Sequence, residues 1–294
     1  MAAPSAKGRS IAVAAGKGGT GKTLIATSLA VALARGGYGP VQLLDCDVEE
    51  PNAALLLRPT IREGNQICLP TPKVDDEACT GCGRCAEVCQ FNAIAVMRGQ
   101  VVTFPGLCNG CGACVYACPA KAIKEVARPL GVVEEGVTAD GILFCHGRVE
   151  VGVLQGVQVI QAVKRRLTEG TAAILDAPPG TACPMQETVA ESDYCLLVTE
   201  PTPFGLSDLR AAVETCAELA VPCGVILNRA DEDGEAVEGY CQEAGLPLLL
   251  RIPERREIAE AYARGETLAH AFPKWQADLC QVFEVVSTLI EERR

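Results

Sequence analysis

The sequence predicts an α/β fold, a doubly wound and mostly parallel sheet that a small inserted module interrupts. Three observations lead there. An apolar run at Ile11–Ala15 precedes a glycine-rich stretch and a helix-forming segment. Apolar runs alternate with helical segments again through the second half of the chain. Between these regions a segment repeats itself at an offset of 29 residues, from Cys79 to Cys108.

The elements follow in order. Ile11–Ala15 reads as a strand, and Gly16–Gly21 as a loop. Lys22–Arg35 reads as a helix whose apolar face is Leu24, Ile25, Leu29 and Leu33. Gly36–Gly37 ends it, because glycine takes the left-handed conformation of a helix stop. Val41–Leu44 is a second strand, closing on Asp45. The rhythm stops near Leu69–Lys73 and resumes after about Val126, with Gly131–Gly141 read as extended. Strands are then expected at Gly141–Cys145, Ala172–Leu175, Cys195–Thr199, Gly224–Leu227 and Leu248–Ile252. Helices are expected at Val157–Leu167, Leu206–Leu219, Glu235–Ala244 and Glu254–Ala263, with a last one over Lys274–Glu292. The expected organisation is a discontinuous domain, residues 1–72 and 126–294, holding an insert at 73–125.

Composition narrows the class. The chain has 294 residues, 49 % of them hydrophobic but only 4 % aromatic, which describes a globular core of aliphatic side chains. Its longest apolar runs, such as Leu246–Leu250, are too short to cross a bilayer. Met1–Ser10 is small, polar and slightly basic, without the apolar centre of a signal peptide; it reads as a disordered leader on a cytoplasmic protein. A formal charge of −11 speaks against nucleic acid, since phosphate-backbone binding needs a concentrated basic surface. The densest basic clusters are only Lys164–Arg166 and Arg255–Arg256. Of 17 cysteines, eight fall in a regular pattern between Cys79 and Cys118, which favours metal over a disulfide scaffold.

Gly16-Lys17-Gly18-Gly19-Thr20-Gly21-Lys22-Thr23 fits the P-loop pattern G-x-x-x-x-G-K-[ST]. Its glycines let backbone N–H groups surround phosphate oxygens, helped by the positive end of the following helix. Lys22 is placed to reach the β- and γ-phosphates, and the Thr23 hydroxyl to bind Mg²⁺. ATP or ADP with Mg²⁺ is the expected ligand.

With Lys17 the octapeptide resembles the deviant Walker motif of the MinD/ParA/Mrp superfamily, which includes the nitrogenase iron protein. The resemblance implies that Lys17 crosses a dimer interface to the nucleotide of the facing subunit, so that hydrolysis depends on association. It extends to Leu43-Leu44-Asp45-Cys46-Asp47, where Asp47 would orient or deprotonate the attacking water and Asn52 would share the switch segment. Ala173-Ile174-Leu175-Asp176 resembles a Walker B strand, so Asp176 would support Mg²⁺, together with Asp47 and Thr23. Pro178-Pro179-Gly180 would form a second switch, with Gly180 approaching the γ-phosphate. Asn228, Arg229 and Pro253 resemble adenine-contacting positions.

Cys79-x₂-Cys82-x₂-Cys85-x₃-Cys89 is followed by Cys108-x₂-Cys111-x₂-Cys114-x₃-Cys118-Pro119. This duplicated run is the pattern of bacterial two-cluster ferredoxins, an α+β module holding two [4Fe–4S] clusters. Three closely spaced thiolates wrap one corner of a cubane, and the fourth lies too far along the chain to close the same one. Cys79, Cys82, Cys85 and Cys118 are therefore assigned to one cluster, and Cys108, Cys111, Cys114 and Cys89 to the other. The usual proline after the fourth cysteine is present as Pro119 but replaced by Gln90 in the first repeat. Zinc sites normally pair two short C-x-x-C hairpins across a longer gap, and two four-cysteine runs fit them poorly.

The other cysteines divide. Cys195 reads as a small core hydrophobe, and Cys46, Cys68, Cys216, Cys223, Cys241 and Cys280 take the same default. Cys183 follows Asp176 by seven residues inside the expected second switch, a spacing similar to that of a cluster cysteine in the nitrogenase iron protein. It is read as an interface redox residue, with Cys145-His146 as its companion. The last helix carries Trp275, Leu279, Phe283, Val286 and Ile290 at helical spacing, without the basic face of a membrane-targeting helix.

Three functions are weighed on these residues. The first is an ATPase, slow or stimulated by a partner, that couples nucleotide state to electron transfer through two [4Fe–4S] clusters. The second is an iron–sulfur carrier or scaffold of the Mrp type, and the third a MinD/ParA-like spatial organiser. Eight enclosing cysteines favour the first. The resemblance implies a homodimer, or a heterodimer with a related ATPase, with nucleotide at the interface, and a redox or iron–sulfur partner protein.

Overall fold

The computed structural model describes residues 8–230 and 234–293. Its first half runs β1 (Arg9–Ala14), α1 (Lys22–Gly36), β2 (Val41–Asp45), α2 (Ala53–Leu57), β3 (Thr60–Val74), α3 (Arg84–Glu87), β4 (Ile94–Met97), β5 (Gln100–Thr103), α4 (Ala113–Ala117), β6 (Ile123–Val137) and β7 (Leu143–Val149). The second half runs α5 (Gly156–Lys164), β8 (Ala172–Asp176), α6 (Cys183–Val189), β9 (Tyr194–Thr199), α7 (Pro203–Glu218), β10 (Cys223–Asn228), α8 (Glu235–Glu243), β11 (Leu248–Ile252), α9 (Arg256–Ala263), α10 (Leu268–Ala271) and α11 (Pro273–Arg293). Among the described residues no helix is long and apolar enough to cross a membrane.

One sheet has the order β11-β10-β9-β1-β8-β2-β7-β6-β3. The run from β11 to β7 is parallel throughout. A parallel sheet is covered on both faces, so its central strands must be apolar on both. Every residue of β2, β8 and β9 is accordingly buried. β1 lies between β8 and β9: the connection from β1 runs past β8 to β2, whereas that from β8 runs the other way past β1 to β9. This reversal opens a crevice beyond the strand ends, and the Gly16–Thr23 loop follows β1 there.

α1 is buried from Leu24 to Leu33, since it packs on both the sheet and α11. The α11 side of that contact is Trp275, Leu279, Phe283, Val286 and Ile290, the residues whose helical spacing marks them in the sequence. Phe283 meets the edge of Tyr38 at a centroid distance of 5.5 Å.

The structure divides into two compact units. One holds the chain up to Gly64, Val133–Arg148 and the chain from Ile160 onward; the other holds Asn65–Val132 and Val149–Val159. The second unit is thus larger than the 73–125 insert read from the sequence. Its extra segment is tied to the cysteine repeat by Gln158, whose Nε2 donates to Asn109 Oδ1 at 2.7 Å. Within this unit β4 and β5 form an antiparallel hairpin. Its small core is Cys85, Ile94 and Ile123. The last two are equivalent under the 29-residue repeat.

The strand reading at the insert needs correction. β3 and β6 span 15 residues each, where only Gly131–Gly141 is read as extended. β3 is exposed along most of its first half, so no alternating apolar face announces it. It also contains Pro70 and Pro72, which are tolerated because β3 is the edge strand. β7 begins at Leu143 and runs to Val149, later than Gly141–Cys145. β1 begins at Arg9, so Arg9 and Ser10 belong to a strand and not to a leader; Met1–Lys7 lie outside the described residues.

Removing the Phe283 ring should leave a cavity between α1 and α11. Phe283→Ala should lower unfolding free energy by about 3–5 kcal/mol, read as a shift in urea midpoint. A shift equivalent to under ~1 kcal/mol would count against this packing.

Candidate nucleotide site and cysteine cavities

The loop after β1 is shaped by close approaches. Gly21 has φ +96° and caps α1, and a Cβ there would lie 2.5 Å from Asn228 Nδ2. A Cβ on Gly16 would lie 2.4 Å from the backbone oxygen of Asp208 in α7. Glycine is therefore required at both positions. Asn228 ends β10 and donates from Nδ2 to the Thr20 carbonyl at 2.8 Å, fastening that strand end to the loop.

A cavity of about 740 Å³ opens beside this loop. Gly18, Gly19, Gly21, Lys22 and Thr23 line it, as do Asp47, Asn52 and Pro179. Asn228, Arg229 and Pro253 also line it, with Ile258, Ala259 and Tyr262 of α9. The α9 wall is absent from the sequence reading, which sees Arg255–Arg256 only as a basic cluster. Ile258 and Tyr262 are four residues apart and so share a helix face, a spacing too short to stand out unaided.

Not every expected residue lines the cavity. Gly16, Lys17, Thr20, Gly180 and Asp176 stand outside its wall. Gly180 is bound through its N–H to the Ala15 carbonyl at 3.1 Å. Lys17 is engaged within its own chain: its Nζ is 3.1 Å from Glu200 Oε2, at the end of β9. The same carboxylate receives Arg229 on Oε1.

Three carboxylates collect at the ends of β2 and β8. Asp45 and Asp176 are register partners, and both are buried. Asp45 accepts the N–H groups of Asp47 at 3.1 Å and Ala53 at 3.0 Å, so it folds the segment that carries Asp47 and Asn52. Burial, with repulsion from Asp176, holds the Asp45 carboxyl well above the usual range. Burial pushes Asp47 up to about 6, opposed by the Lys22 ammonium. Burial likewise pushes Asp176 up to about 7, opposed by the Thr23 hydroxyl and Lys22. Among the described residues, neither Asp176 oxygen meets hydrogen-bond geometry with a partner. A desolvated carboxylate beside a P-loop hydroxyl fits the hard oxygen donors that Mg²⁺ requires.

The cysteines gather in crossed sets. One cavity is lined by Cys79, Cys82, Cys85 and Cys118. Another is lined by Cys108, Cys111, Cys114 and Cys89. Each thus draws three thiols from one repeat and the fourth from the other. Gly81 and Gly110 take matching left-handed conformations, φ +66° and +69°, which lets each C-x-G-C turn wrap inward. Ala93 N–H donates to Cys89 Sγ at 3.3 Å, and Ala122 N–H to Cys118 Sγ at 3.3 Å, again 29 residues apart. Among the described residues no three His, Cys, Asp or Glu side chains converge on a single-ion site. The donor set, eight thiols spread around two small hollows, suits cubanes bound at their corners and donated N–H groups that stabilise thiolate.

The remaining cysteine readings separate. Cys46, Cys195, Cys216 and Cys241 are buried, whereas Cys68 is exposed and is not a core residue. Cys183 begins α6 and is exposed. Cys145 is buried, and His146 is hydrogen-bonded through Nε2 to Glu134 at 2.9 Å, while its buried Nδ1 has no hydrogen-bond partner among the described residues.

A parallel α/β sheet with a glycine loop at its switch point, acidic ends on the two neighbouring strands β8 and β2 and a large cavity defines a P-loop nucleotide-binding protein. Residues 11–268 match the CobQ/CobB/MinD/ParA nucleotide binding domain, and the chain belongs to that family. It is 52 % identical over 286 residues to an uncharacterized ATP-binding protein of Methanocaldococcus jannaschii, covering 95 % of this chain and 87 % of that one. It is 24 % identical over 309 residues to an iron-sulfur cluster carrier protein of Aquifex aeolicus, covering 96 % and 68 % respectively. Among solved structures it resembles the septum site-determining protein MinD of Pyrococcus horikoshii with Mg-ADP, at TM-score 0.57 and 20 % identity over 94 % of this chain and 95 % of that chain. At that identity the likeness is one of fold.

Burial makes Asp176 a source of pH dependence. Its carboxyl ionises near pH 4 when unfolded but near 7 in the nucleotide-free fold. The folded chain therefore holds more protons in between, and this contribution to stability, complete below about pH 4, fades as pH rises through 7. Asp176→Asn should raise the denaturant midpoint of the nucleotide-free protein at pH 8, by about 1–3 kcal/mol, with little change near pH 4. An equal or lower midpoint at pH 8 would argue against a desolvated carboxylate here.

Proposed function

We propose that this protein is an ATP-hydrolysing iron–sulfur protein that binds two [4Fe–4S] clusters in its cysteine unit and hands cluster on to a client under nucleotide control. The observation that supports it is the pair of crossed four-cysteine cavities in a chain that also holds a MinD-type nucleotide cavity. The carrier reading is preferred over electron transfer because relatives along most of the chain include an iron-sulfur cluster carrier protein. Nubp1 homologues, named as cytosolic Fe-S cluster assembly factors, match over 48 % of it.

In the hydrolytic step, backbone N–H groups of the loop and Lys22 hold the β- and γ-phosphates. Asp47, ionised above pH of about 6, accepts a hydrogen bond from the attacking water and orients it. Water oxygen bonds to the γ-phosphorus as the bond to the β–γ bridging oxygen breaks, releasing ADP and phosphate. Mg²⁺, held by Thr23 and through Asp176, would neutralise the charge that develops. Lys17 adds positive charge from the facing protomer, so turnover requires a dimer. Asn228, Arg229 and Pro253 hold the base end. The clusters supply a transferable inorganic core or, in the second reading, an electron.

Electron transfer stays as that second reading because eight cysteines in two enclosed hollows favour firm retention. Transfer distinguishes the two. On mixing with an apo-ferredoxin and Mg-ATP, the carrier reading expects the visible absorbance to move with the acceptor. Retained colour together with a nucleotide-dependent cluster potential would replace it with electron transfer.

The crossed ligation has its own test. Cys79→Ala with Cys118→Ala strikes one cluster and should leave about four of eight irons. Cys79→Ala with Cys89→Ala strikes both and should leave none or few. The reverse pattern, by iron analysis of anaerobically purified protein, would sink the assignment.

A further inference from the structure

Glu200 is the residue the nucleotide chemistry above leaves unused, yet it stands between two cations of that site. Its carboxylate gives Oε2 to Lys17 Nζ at 3.1 Å and Oε1 to Arg229. Exposed ion pairs contribute little, because water screens them and both side chains lose freedom. This one differs in three respects. The Glu200 side chain is only 11 % exposed. Its backbone is fixed, since the Glu200 carbonyl accepts from Thr202 N–H at 2.8 Å and packs so tightly on the first turn of α7 that a Cβ on Gly205 would lie 2.3 Å away. Arg229 is held in the left-handed region at φ +52°, with the next N–H, that of Ala230, bound to the Ile252 carbonyl at 2.8 Å.

We propose that Glu200 is a positioning residue that withholds Lys17 from the facing nucleotide until a dimer closes. The inference rests on the reading that Lys17 serves the facing protomer. In the isolated protomer the lysine is kept by the chain's own carboxylate. Dimer closure must move Nζ from Glu200 to the partner's phosphates, and the triphosphate, with its greater charge, competes for it better than the diphosphate. Arg229 remains to neutralise Glu200 once Lys17 has left. One carboxylate shared by two cations lets the lysine depart without stranding a buried charge.

The test is the dissociation constant of the dimer, by sedimentation velocity of the full-length protein with a non-hydrolysable Mg-ATP analogue at saturation. Glu200→Gln keeps the shape and removes the charge, so the dimer should tighten threefold or more. Arg229→Gln removes the rival cation and leaves Glu200 wholly to Lys17, so the dimer should weaken by a similar factor. Damage to the fold would weaken both, so tightening in Glu200→Gln is the discriminating result. An unchanged or weaker dimer in Glu200→Gln overturns the proposal. If that variant does not fold, an unchanged or tighter dimer in Arg229→Gln overturns it instead. Lys17→Ala separates the layers. A wild-type dimer constant in Lys17→Ala removes the cross-subunit reading itself. A weakened Lys17→Ala dimer beside an unaltered Glu200→Gln dimer leaves that reading standing and removes only Glu200.

Discussion

Everything at the nucleotide site depends on placing carboxylates at the ends of strands that are otherwise buried in hydrocarbon. Asp45 and Asp176 face each other in register on neighbouring strands, and burial raises both acids. Such an arrangement is tolerable only if compensating charge is close. Lys22 supplies part of it from the start of α1, and backbone N–H groups supply more to Asp45. The unsatisfied oxygens of Asp176 are the residue of that balance. A divalent cation near Asp176 and Thr23 would supply the missing positive charge.

The cysteine unit solves a different problem. It is small, with a core of a few side chains, and its hydrophobic interior alone is slight. Internal duplication gives it paired turns, paired N–H···S contacts and two hollows, each borrowing one cysteine from the opposite repeat. Because each hollow needs both repeats, ligation would bind the two halves together, and cluster binding would be folding energy for the unit.

Glu200 adds a second tie between two parts of the nucleotide unit. The loop after β1 reaches it through Lys17, and the end of β10 through Arg229, while Asn228 next door fastens to Thr20. The loop after β1 and the end of β10 are thus linked by short polar contacts.

Sequence by itself determined the class of fold, the P-loop, the cysteine spacing and the apolar stripe of α11, because each is a local pattern whose period or order is its own physics. It determined the central strands for the same reason: a strand buried on both faces must be an apolar run. It did not reveal β3, whose exposed residues carry no alternation and whose prolines argue against a strand until its edge position is known. Nor could it find the Tyr262 wall of the cavity or the tie between Lys17 and Glu200, residues 183 positions apart. Those are decided by the tertiary structure alone. Strand order brings the end of β9 beside the loop after β1, and nothing in the residues near Lys17 encodes which carboxylate will meet it there.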